Sequence, residues 1–298
     1  VALVIWGVVF SVRSGKGKMP SAGVIVVAVV FFGLANVAAN PCEFESAYAC
    51  GRVVADDENP SLRFLVLDTL RHGAVDLEDP THLEFRYINI LGDVIDAMPP
   101  GPIDTLHIGG GGFSLPQYIE ATRPGSTDFV LEIDPVLVQV GEDELGLVVS
   151  DDLQVRTGDA RLALVDLADD SYDLIIGDAF GGLSVPWHLT TTEFMAELDR
   201  VLRPDGVYAM NIIDGDSNRF VQAELATLAE HFNHRAAVVP ADWPRPNPVN
   251  QILIASDADL PAIDVDPVDG ALADDIEAFT GDGRVLRDDF APVEQLAA

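Results

Sequence analysis

The chain has 298 residues, enough for one large domain or two smaller ones with buried cores. Its hydrophobic fraction of 48% argues against a disordered chain, and its net charge of −32 argues against a nucleic-acid partner. Lysine occurs only at Lys16 and Lys18. An acidic surface poor in lysine is typical of a protein adapted to high salt, or of an acidic, arginine-rich proteome.

The first forty residues differ in kind from the rest. An uncharged run from Ala22 to Ala38 approaches the length that spans a bilayer, and a second apolar run precedes it. The basic connection between them carries Arg13, Lys16 and Lys18. We therefore predict one or more transmembrane segments in residues 1–40, in contact with the lipid bilayer.

The positive-inside rule places this basic connection in the cytoplasm and the soluble domain outside it. A signal peptide would give the same side, and a buried hairpin of a soluble fold is the alternative. Cys42 and Cys50 follow directly, without the spacing of a zinc site. In an oxidising compartment they would form a small disulfide loop, whereas in the cytoplasm they would be ordinary thiols.

Residues 41–100 are predicted to form a small β-strand subdomain. β-Branched runs over Gly51–Asp56 and Arg63–Thr69 are bounded by turn residues and indicate strands. Apolar residues at helical spacing predict a helix within Thr81–Met98, which the breaker at Pro99–Pro102 ends.

Residues 101–298 are predicted to form a Rossmann-like nucleoside-binding domain. Apolar strands alternate with helical patterns, which indicates a parallel sheet covered on both faces. Near the end, two strands with only a Pro-rich loop between them predict an antiparallel hairpin. The fold class is therefore α/β, of the class I SAM-methyltransferase type. The predicted strands are 104–109, 128–134, 153–159, 172–180, 206–214, 234–242 and 250–256.

Four consecutive glycines, Gly109, Gly110, Gly111 and Gly112, follow the first strand of this domain and open a helix. An α/β sheet binds nucleotides at this place, because glycine allows a sharp turn and a close approach to the ligand. A tight turn without a ligand is the alternative for the glycine run alone.

Acidic residues end the next strands in turn. Glu132 lies near the offset at which an acid binds ribose hydroxyls, Asp159 follows the third strand, and Asp178 ends the fourth. Because the carboxyl ends of parallel strands meet at one edge, we expect these carboxylates to face the same crevice.

The segments "ESAY", "LDTL", "LEFRY", "IGGGG", "LEID", "TGDA" and "YDLIIGDAF" resemble the spermidine synthase (polyamine aminopropyltransferase) family. "VPWHLTTTEF" and "DDFAPVEQL" are similar to its membrane-attached, synthase-like branch. The resemblance implies that Glu132 holds the ribose, Asp159 the adenine, Tyr87 faces the substrate and Asp178 is the first acid of the catalytic loop. It also implies an amine acceptor, decarboxylated S-adenosylmethionine or S-adenosylmethionine as co-substrate, no further cofactor, and a homodimer.

The sequence departs from the family where the amine is bound. The aspartate after the family's three glycines is Gly112 here, and the second aspartate of the catalytic loop is Gly181. The family's Tyr-His-Glu is Tyr87-Ile88-Asn89. The nucleoside half of the site is thus kept, while the amine half has lost acids that hold cationic amines and accept a proton.

Other residues are candidates to replace the acids missing at Gly112 and Gly181. Asp288, Asp289 and Glu193 are candidate acids, though ordinary solvated acids are the expected interpretation. His188 is the histidine expected near the crevice, as a base or as a capping or packing residue. The spacing of His231 and His234 lacks a third ligand, so no metal site is predicted.

Three functions remain open at this point. The first is an aminopropyl-type transferase in which Asp178 orients the amine nucleophile. The second is a non-catalytic, membrane-anchored domain that binds a nucleoside or polyamine. The third is a SAM-dependent methyltransferase, which the loss of the acid at Gly112 favours because that acid would repel the donor's carboxylate.

Overall fold

The computed structural model describes residues 42–215, 217–240 and 248–297. The fold belongs to a unit formed by Phe44–Ala298, and the other unit, Val1–Glu43, is almost entirely outside the described residues. The predicted transmembrane segments of residues 1–40 lie outside them too. Among the residues that are described, no helix is long and apolar enough to cross a membrane. Cys42 and Cys50 are both disulfide-bonded.

A small antiparallel sheet begins the fold. Its strands, in spatial as in chain order, are β1 (Phe44–Glu45), β2 (Cys50–Ala55), β3 (Leu62–Leu67) and β4 (Leu70–Asp76). Side chains alternate across β3, so Leu65 packs with one hydrophobic cluster and Phe64 with another. Strand β4 was not predicted, because "LRHGAVD" has the polar pair Arg71 and His72 near its start and contains a glycine.

The large sheet contains the parallel core and the terminal hairpin. Its spatial order is β12-β10-β11-β9-β8-β5-β6-β7, with β5 to β9 parallel and β9, β11, β10 and β12 joined antiparallel. The predicted α/β class and the closing hairpin are confirmed. The strands are β5 (Asp104–Ile108), β6 (Thr127–Glu132), β7 (Leu153–Thr157), β8 (Tyr172–Gly177), β9 (Leu202–Asp214), β10 (His234–Val239), β11 (Val249–Ser256) and β12 (Ala271–Leu272).

Helices cover both faces of the large sheet and bury two apolar clusters against it. They are α1 (Arg86–Ala97), α2 (Ser114–Thr122), α3 (Pro135–Glu144), α4 (Ala160–Leu164), α5 (Thr192–Val201), α6 (Arg219–Leu228), α7 (Ile276–Thr280) and α8 (Val293–Leu296), with a 3-10 turn at Trp187–Leu189. Each of α2, α3 and α4 begins within a few residues of the end of a parallel strand, so the loops between them share one edge of the sheet.

The helix predicted within Thr81–Met98 begins only at Arg86. The side chain of Asp79 accepts the Thr81 N–H, which forms a turn, and Phe85 is extended. The apolar side chains of α1 pack against the large sheet, although the sequence places this helix before the Rossmann-like region.

Candidate active site

A cleft of about 580 Å³ opens at the carboxyl ends of the parallel strands. It is lined by Gly109, Gly111, Glu132, Asp159, Asp178 and Tyr87, and a water-sized cavity beside it is lined by Gly110 and Gly112. The structure thus brings together every residue that the sequence assigned to the site. The assignment of roles to them stays a prediction.

The glycine run begins where β5 passes closest to the loop after β8. Gly109 has a φ of +95°, and a Cβ there would lie 2.5 Å from the Asp178 carbonyl oxygen. Its N–H donates to the Leu131 carbonyl, and the Asp178 N–H donates to the Ile108 carbonyl, each at 2.9 Å. Glycine is required here both for the left-handed backbone and for this close approach.

The other end of the run contacts the small sheet. A Cβ on Gly73 in β4 would lie 2.8 Å from the backbone nitrogen of Gly112, and a Cβ on Gly112 would lie 3.3 Å from the Gly73 Cα. The backbones of β4 and the glycine loop therefore touch without intervening side chains, and β4 forms one wall of the site.

Glu132 is buried at the end of β6, and backbone donors hold both of its carboxylate oxygens. Oε2 accepts the Gly110 N–H and Oε1 accepts the Asp134 N–H, each at 2.8 Å. Burial raises the pKa of Glu132, and the backbone hydrogen bonds oppose that rise. The carboxylate is thus fixed in one orientation beside the glycine loop, with lone pairs left for a ligand hydroxyl.

Asp134, which the sequence analysis did not single out, lies next to Glu132 on the cleft wall. Its Oδ1 accepts the Val136 N–H at 2.9 Å and so caps α3. Its Oδ2 is buried and makes no hydrogen bond within the described residues. The proline in the first turn of α3 indicates in the sequence where the helix begins. That Asp134 Oδ2 is a free acceptor can be seen only in the folded structure.

Asp178 lies on the floor of the cleft, at the end of β8. Its Oδ1 accepts a hydrogen bond of 2.8 Å from Asn211 Nδ2, and Asn250 Nδ2 donates at 3.0 Å to the Asn211 Oδ1. Burial raises the Asp178 pKa to about 6, although the Asn211 hydrogen bond and the nearby His107 act in the opposite direction. A carboxyl group whose pKa lies close to neutral pH, and which lines a cleft, can act as a general base.

Tyr87 faces the cleft across from the glycine loop. Its ring stacks on Phe85 with centroids 6.0 Å apart, and its hydroxyl donates a long 3.5 Å hydrogen bond to the His72 carbonyl. Burial, and then the charge of Asp178, raise the pKa of Tyr87 well above its ordinary value. The phenol is therefore neutral at physiological pH, and to donate to a substrate its one proton would have to leave the long hydrogen bond to His72.

His188 lines the cleft as the sequence predicts, but the prediction that it is the one histidine there is wrong. His72 lines the cleft as well, and His107 lines the smaller cavity. Burial lowers the pKa of His72, with the Asp68 charge opposing it, so a neutral imidazole faces the site. Histidine and asparagine inside otherwise apolar strands, as in "TLHIG" and "AMNIID", were the signals that would have pointed to His107 and Asn211.

The candidate substitute acids have structural partners instead. Arg161 forms hydrogen bonds of 2.7 and 2.6 Å with Asp288, whose N–H donates to Glu193 at 3.0 Å. The Arg161 guanidinium lowers the pKa of Asp288. Neither acid is among the described residues that line the cleft, and neither is Asp289.

Two histidines at metal-like spacing also have separate partners. His231 Nε2 is 2.7 Å from the Thr192 hydroxyl, and His234 Nε2 is 3.7 Å from Asp259.

The chain has curated relatives of two kinds, polyamine aminopropyltransferases and methyltransferases. The chain is 39% identical over 135 residues to a polyamine aminopropyltransferase of Vibrio vulnificus, covering 45% of this chain and 44% of that protein. It is 30% identical over 125 residues to a bovine (Bos taurus) eEF1A lysine and N-terminal methyltransferase, covering 39% of this chain and 18% of that one. The matched region thus spans 44% of the length of the first relative and 18% of the second.

A solved probable spermidine synthase from Corynebacterium glutamicum superposes with a TM-score of 0.76 at 23% identity, covering 82% of this chain and 95% of that one. At this identity the likeness establishes the fold. No family model matches the chain.

The chain is similar in sequence to polyamine aminopropyltransferases over 45% to 56% of its length.

The chain departs from the pattern of the polyamine aminopropyltransferases at Gly112 and Gly181, and these two glycines have different surroundings. At Gly181 a Cβ would meet only the Ser184 carbonyl oxygen, at 3.9 Å, so a side chain fits there. At Gly112 the contact with Gly73 leaves less room. The cleft keeps an acidic lining without these positions, since Asp68 and Asp134 line it together with Glu132, Asp159 and Asp178.

Proposed function

We propose that the chain is a transferase of the aminopropyltransferase type. Its donor is a sulfonium nucleoside of the S-adenosylmethionine type, in decarboxylated form, and its acceptor is an amine. The observation that carries the proposal is Asp178, whose pKa is raised to about 6 on the floor of an acidic cleft. Sequence similarity to polyamine aminopropyltransferases supports the same reaction class.

The cleft suits both substrates electrostatically. Asp68, Asp134 and Asp178 line it, and a sulfonium donor and an ammonium acceptor are each attracted by negative charge. Because burial lowers the pKa of His72, this residue adds no positive charge to repel them. On the nucleoside side, Glu132 would bind the ribose hydroxyls and Asp159 the base.

The proposed chemical step is a direct substitution. The Asp178 carboxylate takes a proton from the acceptor's ammonium group, and the freed lone pair attacks the carbon next to the sulfonium. The new carbon–nitrogen bond forms as the carbon–sulfur bond breaks, and its electrons return to sulfur, which leaves as a neutral thioether. Asp178 then releases the proton to solvent. Positioning and charge supply the rate enhancement.

A methyltransferase is the second candidate, and Gly112 is the observation that favours it. Without an acid at that position, one source of repulsion towards the carboxylate of S-adenosylmethionine is absent. Similarity to an eEF1A lysine and N-terminal methyltransferase is consistent with this candidate. Decarboxylated and carboxylated donors therefore have to be compared directly.

The test is calorimetric binding followed by turnover, using the full chain in molar KCl. Decarboxylated S-adenosylmethionine, S-adenosylmethionine and 5′-methylthioadenosine are titrated into the protein and into Glu132→Gln. Release of 5′-methylthioadenosine with a diamine, lost in Asp178→Asn, supports the proposal. Transfer from the carboxylated donor alone establishes the methyltransferase. Nucleoside binding without turnover on either donor establishes a binding domain, and the absence of any binding overturns the site.

A further inference from the structure

Asp159 has both carboxylate oxygens engaged by the protein. Its Oδ1 accepts the Leu162 N–H at 3.1 Å and so caps α4, while its Oδ2 is 3.0 Å from Nε2 of His188. Both side chains are 28% exposed and line the cleft. The carboxylate is therefore fixed in orientation at the cleft surface, where its remaining lone pairs face a ligand.

His188 is itself held in place from outside the cleft. It lies in the 3-10 turn at Trp187–Leu189, and its carbonyl oxygen accepts a 2.9 Å hydrogen bond from Arg161. Arg161 is in turn clamped by Asp288 and by the Thr191 hydroxyl, which lies 3.2 Å away. The imidazole is thus not a free surface side chain, because two elements fix the backbone that carries it.

The hydrogen-bond direction decides what Asp159 can recognise. An ionised carboxylate accepts and cannot donate, so the proton between the two side chains belongs to His188 Nε2. The ionised Asp159 is therefore a pure acceptor towards a bound base, and the hydrogen bond from His188 fixes the direction of its remaining lone pairs. A purine with a 6-amino group offers it an N–H, whereas a 6-oxo purine presents lone pairs against lone pairs.

We infer that His188 is a positioning residue that makes the cleft selective for 6-amino over 6-oxo purines by fixing the orientation of the Asp159 acceptor. The inference rests on the proposed function to the extent that a nucleoside occupies the cleft. It also links base recognition to the loop that follows Asp178, because His188 lies at the far end of that loop.

The test compares 5′-methylthioadenosine with 5′-methylthioinosine by calorimetry on the full chain in molar KCl. We expect the wild type to prefer the 6-amino nucleoside by about 100-fold, since a 6-oxo group places lone pairs against those of a fixed acceptor. His188→Phe keeps a ring without a donor, and should weaken the 6-amino nucleoside about tenfold while leaving the 6-oxo nucleoside little changed. His188→Gln retains an N–H donor and should restore most of the preference.

His231→Gln, at a histidine bonded to Thr192 outside the cleft, is the matched control and should leave both affinities unchanged. A merely structural role for His188 would weaken both nucleosides equally, so an unchanged preference in His188→Phe overturns the inference while the proposed function stands. If the wild type binds neither nucleoside, the proposed function falls and this inference with it.

Discussion

The side-chain amide of Asn211 donates a 2.8 Å hydrogen bond to the carboxylate of Asp178. Asn211 lies within β9, and Asp178 directly follows the neighbouring parallel strand β8. Asn250 on β11 fixes the amide's orientation from the other side. This bond favours the ionised form of Asp178, while burial favours the neutral form and is the larger effect. The readiness of Asp178 to take a proton is therefore set by two opposing contributions that can be changed separately.

Replacing Asn211 by leucine should raise the pKa of Asp178 further, because the hydrogen bond that lowers it is lost. Turnover requires the carboxylate, so it should rise with pH through about 6 in the wild type and about one unit higher in the variant. The measurement is the pH profile of thioether release. Asn250→Ala leaves the Asn211 donor in place and serves as the control. An unchanged midpoint in Asn211→Leu would show that Asp178 is not the titrating group.

Substituting Gly181 by aspartate should strengthen amine binding, because it adds an acid to the cleft where a Cβ meets nothing closer than 3.9 Å. A gain of about tenfold in diamine affinity corresponds to ~1.4 kcal/mol, a reasonable value for one charge-assisted hydrogen bond. Calorimetric titration of a diamine measures it. Gly181→Asn, which has the same shape without the charge, is the control, and an equal gain there would refute the electrostatic explanation.

Exchanging Gly109 for alanine should destabilise the fold by about 2–4 kcal/mol, since it adds both backbone strain at positive φ and a clash with the Asp178 carbonyl. Denaturant unfolding of the variant measures the loss. Gly181→Ala is the matched loop control, because its φ is not positive and its surroundings are open. Equal stability of the two variants would contradict the close contact between β5 and the loop after β8.

Glu224 on α6 is fully buried, and neither carboxylate oxygen has a hydrogen-bond partner within the described residues. Burial raises its pKa well above 4.5. A pKa raised by folding means that the folded chain holds the proton more tightly than the unfolded chain does. The resulting contribution of Glu224 to the free energy of unfolding is complete below about pH 4.5 and is lost as pH rises through the folded-state pKa.

Glu224→Met should therefore reduce the decline of the unfolding free energy between pH 5 and 8. At pH 8 the variant's unfolding free energy should exceed that of the wild type by about 1–3 kcal/mol. Urea unfolding at both values in molar KCl measures this. Glu224→Gln should remove the pH dependence yet leave a polar group unsatisfied, so its gain in stability should be smaller. A variant whose pH dependence equals that of the wild type would show that Glu224 does not titrate in this range.

The sequence predicted the parallel sheet because its strands are continuous apolar runs, and it placed Glu132, Asp159 and Asp178 together because strand ends converge. Contacts between segments distant in the chain were out of reach. The Asn211–Asp178 and His188–Asp159 bonds join residues 33 and 29 positions apart. Strand β4 was not predicted for a related reason: its apolar residues Ala74 and Val75 gain their partners only when β3 and α3 are in place.

The backbone contact between Gly73 and Gly112 has a consequence for how such a site can evolve. An acid at position 112 needs its neighbour to retreat by a few tenths of an ångström, while any side chain at position 73 meets the Gly112 nitrogen at 2.8 Å. The two positions are therefore epistatic: the tolerance of each depends on the spacing that the other sets. A lineage with this packing regains an acid at position 181 by one substitution, but at position 112 only together with a shift of β4.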